Sequence, residues 1–511
     1  MIQNYRSVFP LLLILFIALV PWLTQQVDIR IPGDAAFLFT GAGHIFAGHN
    51  MLDYYYDTNP PMSFLIYTPS VLLQGLGFDA HTSIYLFTFL LIATSTAFFA
   101  YLLCFYNLEG IHRAALLSSY LASVTLFSFN EFTQKDHLIA ITLPVFLLAQ
   151  LLILQENKPK DSILFLAFLI LTPFILIKPH YGLLPAFVIL YRIWQNKNLL
   201  SLFKVDFIAL TTGVIAYGLA IFTFFPEYVS EIFGISLDLY FGSDSMVGDT
   251  GKKALVIAAM SLCITAIASF GNDTTDQKKI NVFLGSMATL TAIPFWVQNK
   301  GFSVHLLPTI SLLIPAIFCV ATESLPVKTF SALKKPHITA LSIIAVFYLA
   351  FILGPETSKR MEFEDSSLAR LVKEKAGDKP FLFQSESTNI FYSQSLYIDN
   401  DVGSRFPSLW FLARLHTIKN EEKRKDMTNM FARYFAQDLE RLQPKIIGLV
   451  QPSKGKTNAV FYYFQGNPEF DTAWRKYRKT EEYKLSPLEF SDFLLRKNAK
   501  DVVFDIYEHI D

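Results

Sequence analysis

The sequence predicts a polytopic all-α membrane domain followed by a soluble extracytoplasmic α/β domain, and three observations carry that prediction. The 511-residue chain has a mean hydropathy of +0.37. Only 17% of its residues are charged, against about 25% in a typical soluble chain. The charge is also uneven, since 49 of the 86 Lys, Arg, Asp and Glu residues fall in 355–511. We therefore expect two domains, 1–354 and 355–511, each long enough to hold its own core. Basic and acidic residues number 43 each. No bulk field attracts a polyanion, so no nucleic-acid partner is expected. The three cysteines, Cys104, Cys263 and Cys319, lie in apolar runs and offer neither a disulfide framework nor a cysteine metal cluster.

A bilayer-spanning helix needs about 20 mostly apolar residues. Such runs lie near 8–27, 83–106, 113–129, 138–154, 162–177, 181–195, 207–225, 254–270, 281–297, 303–322 and 338–354, which makes about eleven spans. The two between 162 and 195 are short. The first run lacks a small-x-small cleavage site and reads as a retained span. With Arg6 in the cytoplasm, the inner loops carry Arg113, Lys158, Lys160, Lys197, Lys204, Lys278, Lys279, Lys328, Lys334 and Lys335, as the positive-inside rule expects. The odd count then places 355–511 outside. The sequon Asn272-Asp273-Thr274 falls on the inside, and the external domain has none. The expected location is a bacterial inner (plasma) membrane, with the C-terminal domain periplasmic.

The unusual polar residues fall on the outer side. They are Asp34 after the first span, Tyr54-Tyr55-Tyr56-Asp57-Thr58-Asn59-Pro60-Pro61, the run Lys135-Asp136-His137, Lys178-Pro179-His180, and Lys300 with His305. Charges near membrane level usually serve a site or a cavity, so one polar site is expected at the outer face. Interfacial contact with water is the bland alternative for any one of them. Within 28–81, Ala35–Phe46 has helical spacing and reads as an interfacial helix. Prolines 60 and 61 break the chain, and Met62–Phe78 either dips into the membrane or packs on the bundle. Asp57 reads equally as an Asx-type cap, the three tyrosines as an aromatic belt, and His44 and His49 as helix-end histidines.

This layout resembles the GT-C membrane glycosyltransferases, in particular the branch of protein O-mannosyltransferases and the lipid A aminoarabinose transferase. The residues that carry it are Gly33-Asp34, the helix ending at Gly48, Tyr56-Asp57-Thr58-Asn59-Pro60-Pro61, and Leu76-Gly77-Phe78. Many members have two adjacent acids after the first span, whereas here Ala35 follows Asp34. The resemblance implies an inverting hexosyl- or pentosyltransferase. It would move a sugar from a polyprenyl-phosphate donor to a hydroxyl of a lipid, glycan or protein acceptor. It implies Asp34 as the base, Asp57 or Asp136 as a second, positioning carboxylate, and Lys135, His137, Lys178, His180, Lys300 and His305 as candidate donor-phosphate ligands. A divalent metal, Mg or Mn, is left open, because the acids and His137 show no metal-motif spacing.

In 355–511 the stretches 379–383 and 445–450 read as buried strands, Asn420–Leu442 as a helix and 501–507 as a last strand. Arg405, in Gly403-Ser404-Arg405-Phe406-Pro407, is a candidate acceptor contact or else one arginine of a packed loop. Two other functions compete. A lipid-linked sugar transporter or flippase would show paired halves with interrupted helices. A surface-polysaccharide polymerase or ligase would share the donor chemistry.

Overall fold

The computed structural model describes residues 16, 19–128, 131–241, 247–269, 275–298, 303–324, 366–384, 390–398, 400–451, 457–485 and 502–510. The expected span near 338–354, the sequon, Lys328, Lys334, Lys335, the boundary at 354 and the site candidate Lys300 lie outside these residues.

Four described helices are long and apolar enough to cross a membrane: Ala80–Leu103, Lys135–Ile153, Val205–Phe224 and the Gly251–Ser269 stretch of the helix from Val247. Shorter helices cover Gly110–Thr125, Asp161–Leu176, Leu183–Asn196, Asp276–Leu290 and Leu307–Ser324. Helix therefore occupies every expected apolar stretch within the described residues. The pair between 161 and 196 is short, at 16 and 14 residues, and a single 3-10 turn, Pro179–Gly182, joins it. Lys135–Ile153 is the centre of the bundle, with its apolar window wholly buried. It packs on Ala80–Leu103, Asp161–Leu176 and Leu307–Ser324. Val205–Phe224 is the opposite case, only 11% buried, with Leu219, Phe222 and Phe224 exposed. Apolar surface of that extent needs lipid rather than water, and the chain is built as an integral membrane protein.

The first long loop folds onto this bundle. Gly33–Phe46 is helical, two residues longer than expected at its start. Met62–Phe78 packs on the bundle as two helices, Met62–Leu65 and Thr68–Gly75, against Gly33–Phe46 and Ala80–Leu103. Gly41 allows that contact, because a Cβ there would lie 2.4 Å from the Phe64 ring.

The C-terminal part holds a four-stranded sheet ordered β1-β2-β4-β3, with β1 Phe381–Gln384, β2 Ile446–Val450, β3 Tyr477–Leu485 and β4 Val502–His509. β1 and β2 are parallel, and β4 runs antiparallel to both of its neighbours. The expected strands and the helix (Glu421–Leu442, capped by Asn420) are present. β3 was not expected. Alternation splits the sheet: Phe381, Phe383, Ile446, Phe504 and Ile506 pack under helix Ser367–Ala376, whereas Leu382, Ile447 and Leu449 join Phe431, Phe435 and Leu439. The latter cluster is continuous with the core of the bundle.

At the end of the bundle marked by Gln150, Arg192 Nη1 lies 2.9 Å from Asp206 Oδ2, and Gln150 Nε2 donates to the same oxygen at 2.9 Å. Arg192 Nε also donates to the Ser201 carbonyl at 3.0 Å. Arg192 and Asp206 are 1% and 0% exposed. Removing one member of such a pair strands a buried charge. Asp206→Ala is therefore expected to destabilise the protein by about 3–5 kcal/mol, read as unfolding in detergent. A loss below about 1 kcal/mol, the scale of surface pairs, would contradict this.

Candidate active site

At the other end, two helix N-termini meet. Asp34 sits in the first turn of Gly33–Phe46, and Lys135 and Asp136 open Lys135–Ile153. Such ends carry partial positive charge and unsatisfied N–H groups, which favour anions. Lys135 Nζ lies 3.5 Å from Asp34 Oδ2; the lysine side chain is 8% exposed and the carboxylate 42%. Asp57, on the loop after Met51–Tyr54, is buried and electrostatically coupled to both Lys135 and Asp34. Its carboxylate accepts from the Thr58 N–H at 2.6 Å and from the Asn59 side-chain amide. Burial pushes the Asp57 carboxyl above the usual carboxylate range, Lys135 and Asn59 pull it back, and Asp34 adds to the rise.

Asp136 turns the other way, into the bundle. Its two oxygens lie 2.8 Å from Lys178 Nζ. His305 Nδ1 is 3.3 Å from Asp136 Oδ1 and 3.1 Å from Lys178 Nζ. All three side chains are buried. Asp136, Lys178 and His305 thus form an internal triad, which pairs two of the expected phosphate ligands with a buried carboxylate.

His137 also departs from its expected role. Its Nε2–H donates to the Val124 carbonyl at 2.6 Å, and Nδ1 accepts from the Thr133 N–H at 3.1 Å. Nδ1 thus holds the turn that starts the helix, and Nε2 ties it to the end of Gly110–Thr125. Thr133 has φ 73°, a strained conformation for a β-branched residue. It is fixed by His137 and by Tyr67 Oη, which donates to its carbonyl at 2.7 Å. His180 is half-buried on the 3-10 turn, its ring 5.1 Å from that of Tyr181. Lys300 lies outside the described residues.

Arg405 is 2% exposed, not a surface arginine. It donates to Asp438 Oδ1 from Nε at 2.9 Å, to the Leu52 carbonyl at 2.5 Å and to Gln437 at 3.3 Å. It therefore ties the 403–407 loop to Glu421–Leu442 and to the first long loop. The tyrosines are not an interfacial belt. Tyr55 and Tyr56 are 1% and 2% exposed, and Tyr54 is sandwiched between the His49 ring at 3.8 Å and the Arg441 guanidinium at 4.4 Å. Behind Tyr54, His44 Nδ1 and His49 Nδ1 are 3.1 Å apart. Burial and His49 lower the His44 pKa to about 4, so this ring is neutral at ordinary pH and gives the pair an acceptor. An open cavity of about 970 Å³ lies beside Tyr54, Arg405, Gln437, Glu440 and Arg441.

Among the described residues no three His, Cys, Asp or Glu side chains converge on a metal position. The acids expected as hard ligands face lysines instead, Asp34 with Lys135 and Asp136 with Lys178.

No family model and no curated protein matches the sequence. Among solved structures, the chain is similar to the arabinofuranosyltransferase AftD from Mycobacteria at 13% identity and TM-score 0.42, covering 99% of this chain and 40% of that one. It is also similar to ArnT from Cupriavidus metallidurans in the apo state, at 12% identity and TM-score 0.36, over 98% and 97% of the two chains. The chain thus spans well under half the length of the first. At these scores neither likeness assigns an activity.

Two outcomes follow. Lys178→Met is expected to cost about 3–5 kcal/mol, because Asp136 then lacks its main counter-charge. Adding Asp136→Asn should recover most of that loss; equal losses in the single and double variants would show that the pair is not compensating. Asp57 has its folded pKa raised above the unfolded value. Its contribution to stability is therefore present below the unfolded pKa, near 3.9, and is lost as pH rises through the folded pKa. The stability of wild type relative to Asp57→Asn should accordingly fall from pH 4 towards pH 8, and a rise across that window in paired denaturant titrations would reverse the sign.

Proposed function

We propose that the protein is an inverting glycosyltransferase acting at the outer face of the membrane, with Asp34 as the base. One observation carries the reading: a part-exposed carboxylate is held beside a buried lysine where two helix N-termini meet. The donor is a sugar on a polyprenyl phosphate, and the acceptor is a hydroxyl of a lipid, glycan or protein. The acceptor oxygen attacks the anomeric carbon, and its proton passes to Asp34. The bond from that carbon to the phosphate oxygen breaks, and the electron pair leaves with the lipid phosphate. Lys135 pairs with Asp34 and offers positive charge to the departing phosphate. Asp57 accompanies it as the second carboxylate, which adjacent acids supply in the resembled family. On this reading Asp136, Lys178 and His305 support the helix start rather than touch the donor. Membrane lipids surround residues 1–354, and residues 355–511 form the extracytoplasmic domain of a bacterial inner-membrane protein.

The test is a mass-spectrometric comparison of envelope glycans and glycolipids from wild type, a deletion strain, and the deletion complemented with Asp34→Asn. A sugar missing in the deletion and not restored by Asp34→Asn at normal protein level is the expected result, and it identifies the product. Full restoration by Asp34→Asn would remove Asp34 from the chemistry and return the transporter reading to the fore.

A further inference from the structure

The backbone that delivers Asp34 is held from the far end of the chain. Ile31 N–H donates to Tyr397 Oη at 3.2 Å, and the Ile31 carbonyl accepts from Ser393 Oγ. Tyr397 Oη is also 2.6 Å from His81 Nδ1, and His81 Nε2 is 2.9 Å from the Val27 carbonyl. A carbonyl only accepts, so Nε2 carries the ring proton. With the ring neutral, Nδ1 is then an acceptor, the Tyr397 hydroxyl donates to it, and a lone pair of the same hydroxyl receives the Ile31 N–H. In that state every hydrogen in the chain from Ile31 through Tyr397 and His81 to Val27 has a direction. His81 is 3% exposed and stacks on Tyr85 at 4.5 Å, and Tyr85 Oη donates to the Ile29 carbonyl at 2.9 Å. Next to Ser393, the Tyr392 ring meets Phe37 edge-on at 4.9 Å. Helix Ile390–Ser395 packs on Gly33–Phe46.

Both polar groups of Ile31 are therefore taken by the C-terminal part, three residues before Asp34. Pro32 follows at φ −57°, and the helix begins at Gly33. Little freedom remains between the tie and the carboxylate. The geometry points to Tyr397, Ser393 and His81 as positioning residues: the C-terminal domain sets the place of Asp34 through the Ile31 backbone. This rests on the reading of Asp34 as the base.

The test uses the full chain carrying Tyr397→Phe with Ser393→Ala, and each single variant. Phe keeps the ring but removes the acceptor of the Ile31 N–H and the donor to His81. Two quantities are read in the complemented deletion strain and on purified protein. The first is the initial rate at which the missing glycan reappears after induction, at matched protein level. The second is hydrogen exchange of the peptide covering residues 29–37 against one from Lys135–Ile153. Displacement of a reacting group by about 1 Å costs about 100-fold in rate. The double variant should thus lose about 10- to 100-fold in rate and exchange faster at 29–37, with the control peptide unchanged. As a conservative rescue, His81→Asn keeps an acceptor near the Nδ1 position and should retain more activity than His81→Leu. If the control peptide also exchanges faster in the double variant, the single variants and the His81 pair decide. A wild-type rate in the double variant, or in both single variants and His81→Leu, overturns the inference while leaving Asp34→Asn inactive and the base reading intact. A wild-type rate in Asp34→Asn overturns both.

Discussion

A carboxylate inside an apolar bundle is the constraint on which this structure depends. Asp136 stands at the start of a helix buried on every side, and burial of an ionised acid is tolerated only with a counter-charge in good geometry. The charge arrives from two other places. Lys178 follows the end of Asp161–Leu176, and His305 precedes Leu307–Ser324. One electrostatic requirement thus pins three helix ends to a point. It also sets the rotation of the central helix. Successive residues are about 100° apart around an α-helix, so with Asp136 turned inward Lys135 is directed elsewhere, and it reaches Asp34.

The polar ends of that helix explain why it can be wholly buried and still be oriented. Gln150 lies 14 residues beyond Asp136, about 21 Å along the axis, and closes a second buried ion pair between Arg192 and Asp206. From Leu138 to Ala149 the side chains are apolar or, as with Thr142, bonded to the preceding turn of the same helix. Apolar packing resists sliding weakly, whereas unmatched charges at either end resist it strongly. Register along the bundle axis therefore comes from the two polar clusters.

Much of this was legible in the sequence. Apolar length gave the helices, and Asn420 with its following run gave the long C-terminal helix. Asp34 was marked by the family resemblance, not by any local period. The pairings were not legible, because they join residues 42, 169 and 366 positions apart, and no local period records which lysine meets which acid. His137 misled for the same reason: a buried histidine that holds a turn has the same sequence signature as one that binds phosphate. β3, Tyr-Arg-Lys-Thr-Glu-Glu-Tyr-Lys-Leu, carries no hydrophobic alternation, since it is an edge strand. Its charges serve the edge, pairing Lys479 with Asp505 and Glu481 with Lys375.

The commitment of Lys178 and His305 to Asp136 changes how the proposed chemistry distributes its charge. A site with many presented cations would hold a lipid phosphate tightly before and after transfer, and binding the two states equally gives no acceleration. Here Lys135 is shared between Asp34 and Asp57. In the proposed reaction the acceptor proton would move onto Asp34, that carboxylate would become neutral, and its hold on Lys135 would weaken as the phosphate oxygen gains its electron pair. On that reading the ion pair couples the two halves of the displacement, which requires Asp34 to keep a fixed distance from Lys135. On that reading the backbone ties from Tyr397 and Ser393 to Ile31, three residues before Asp34, hold that distance.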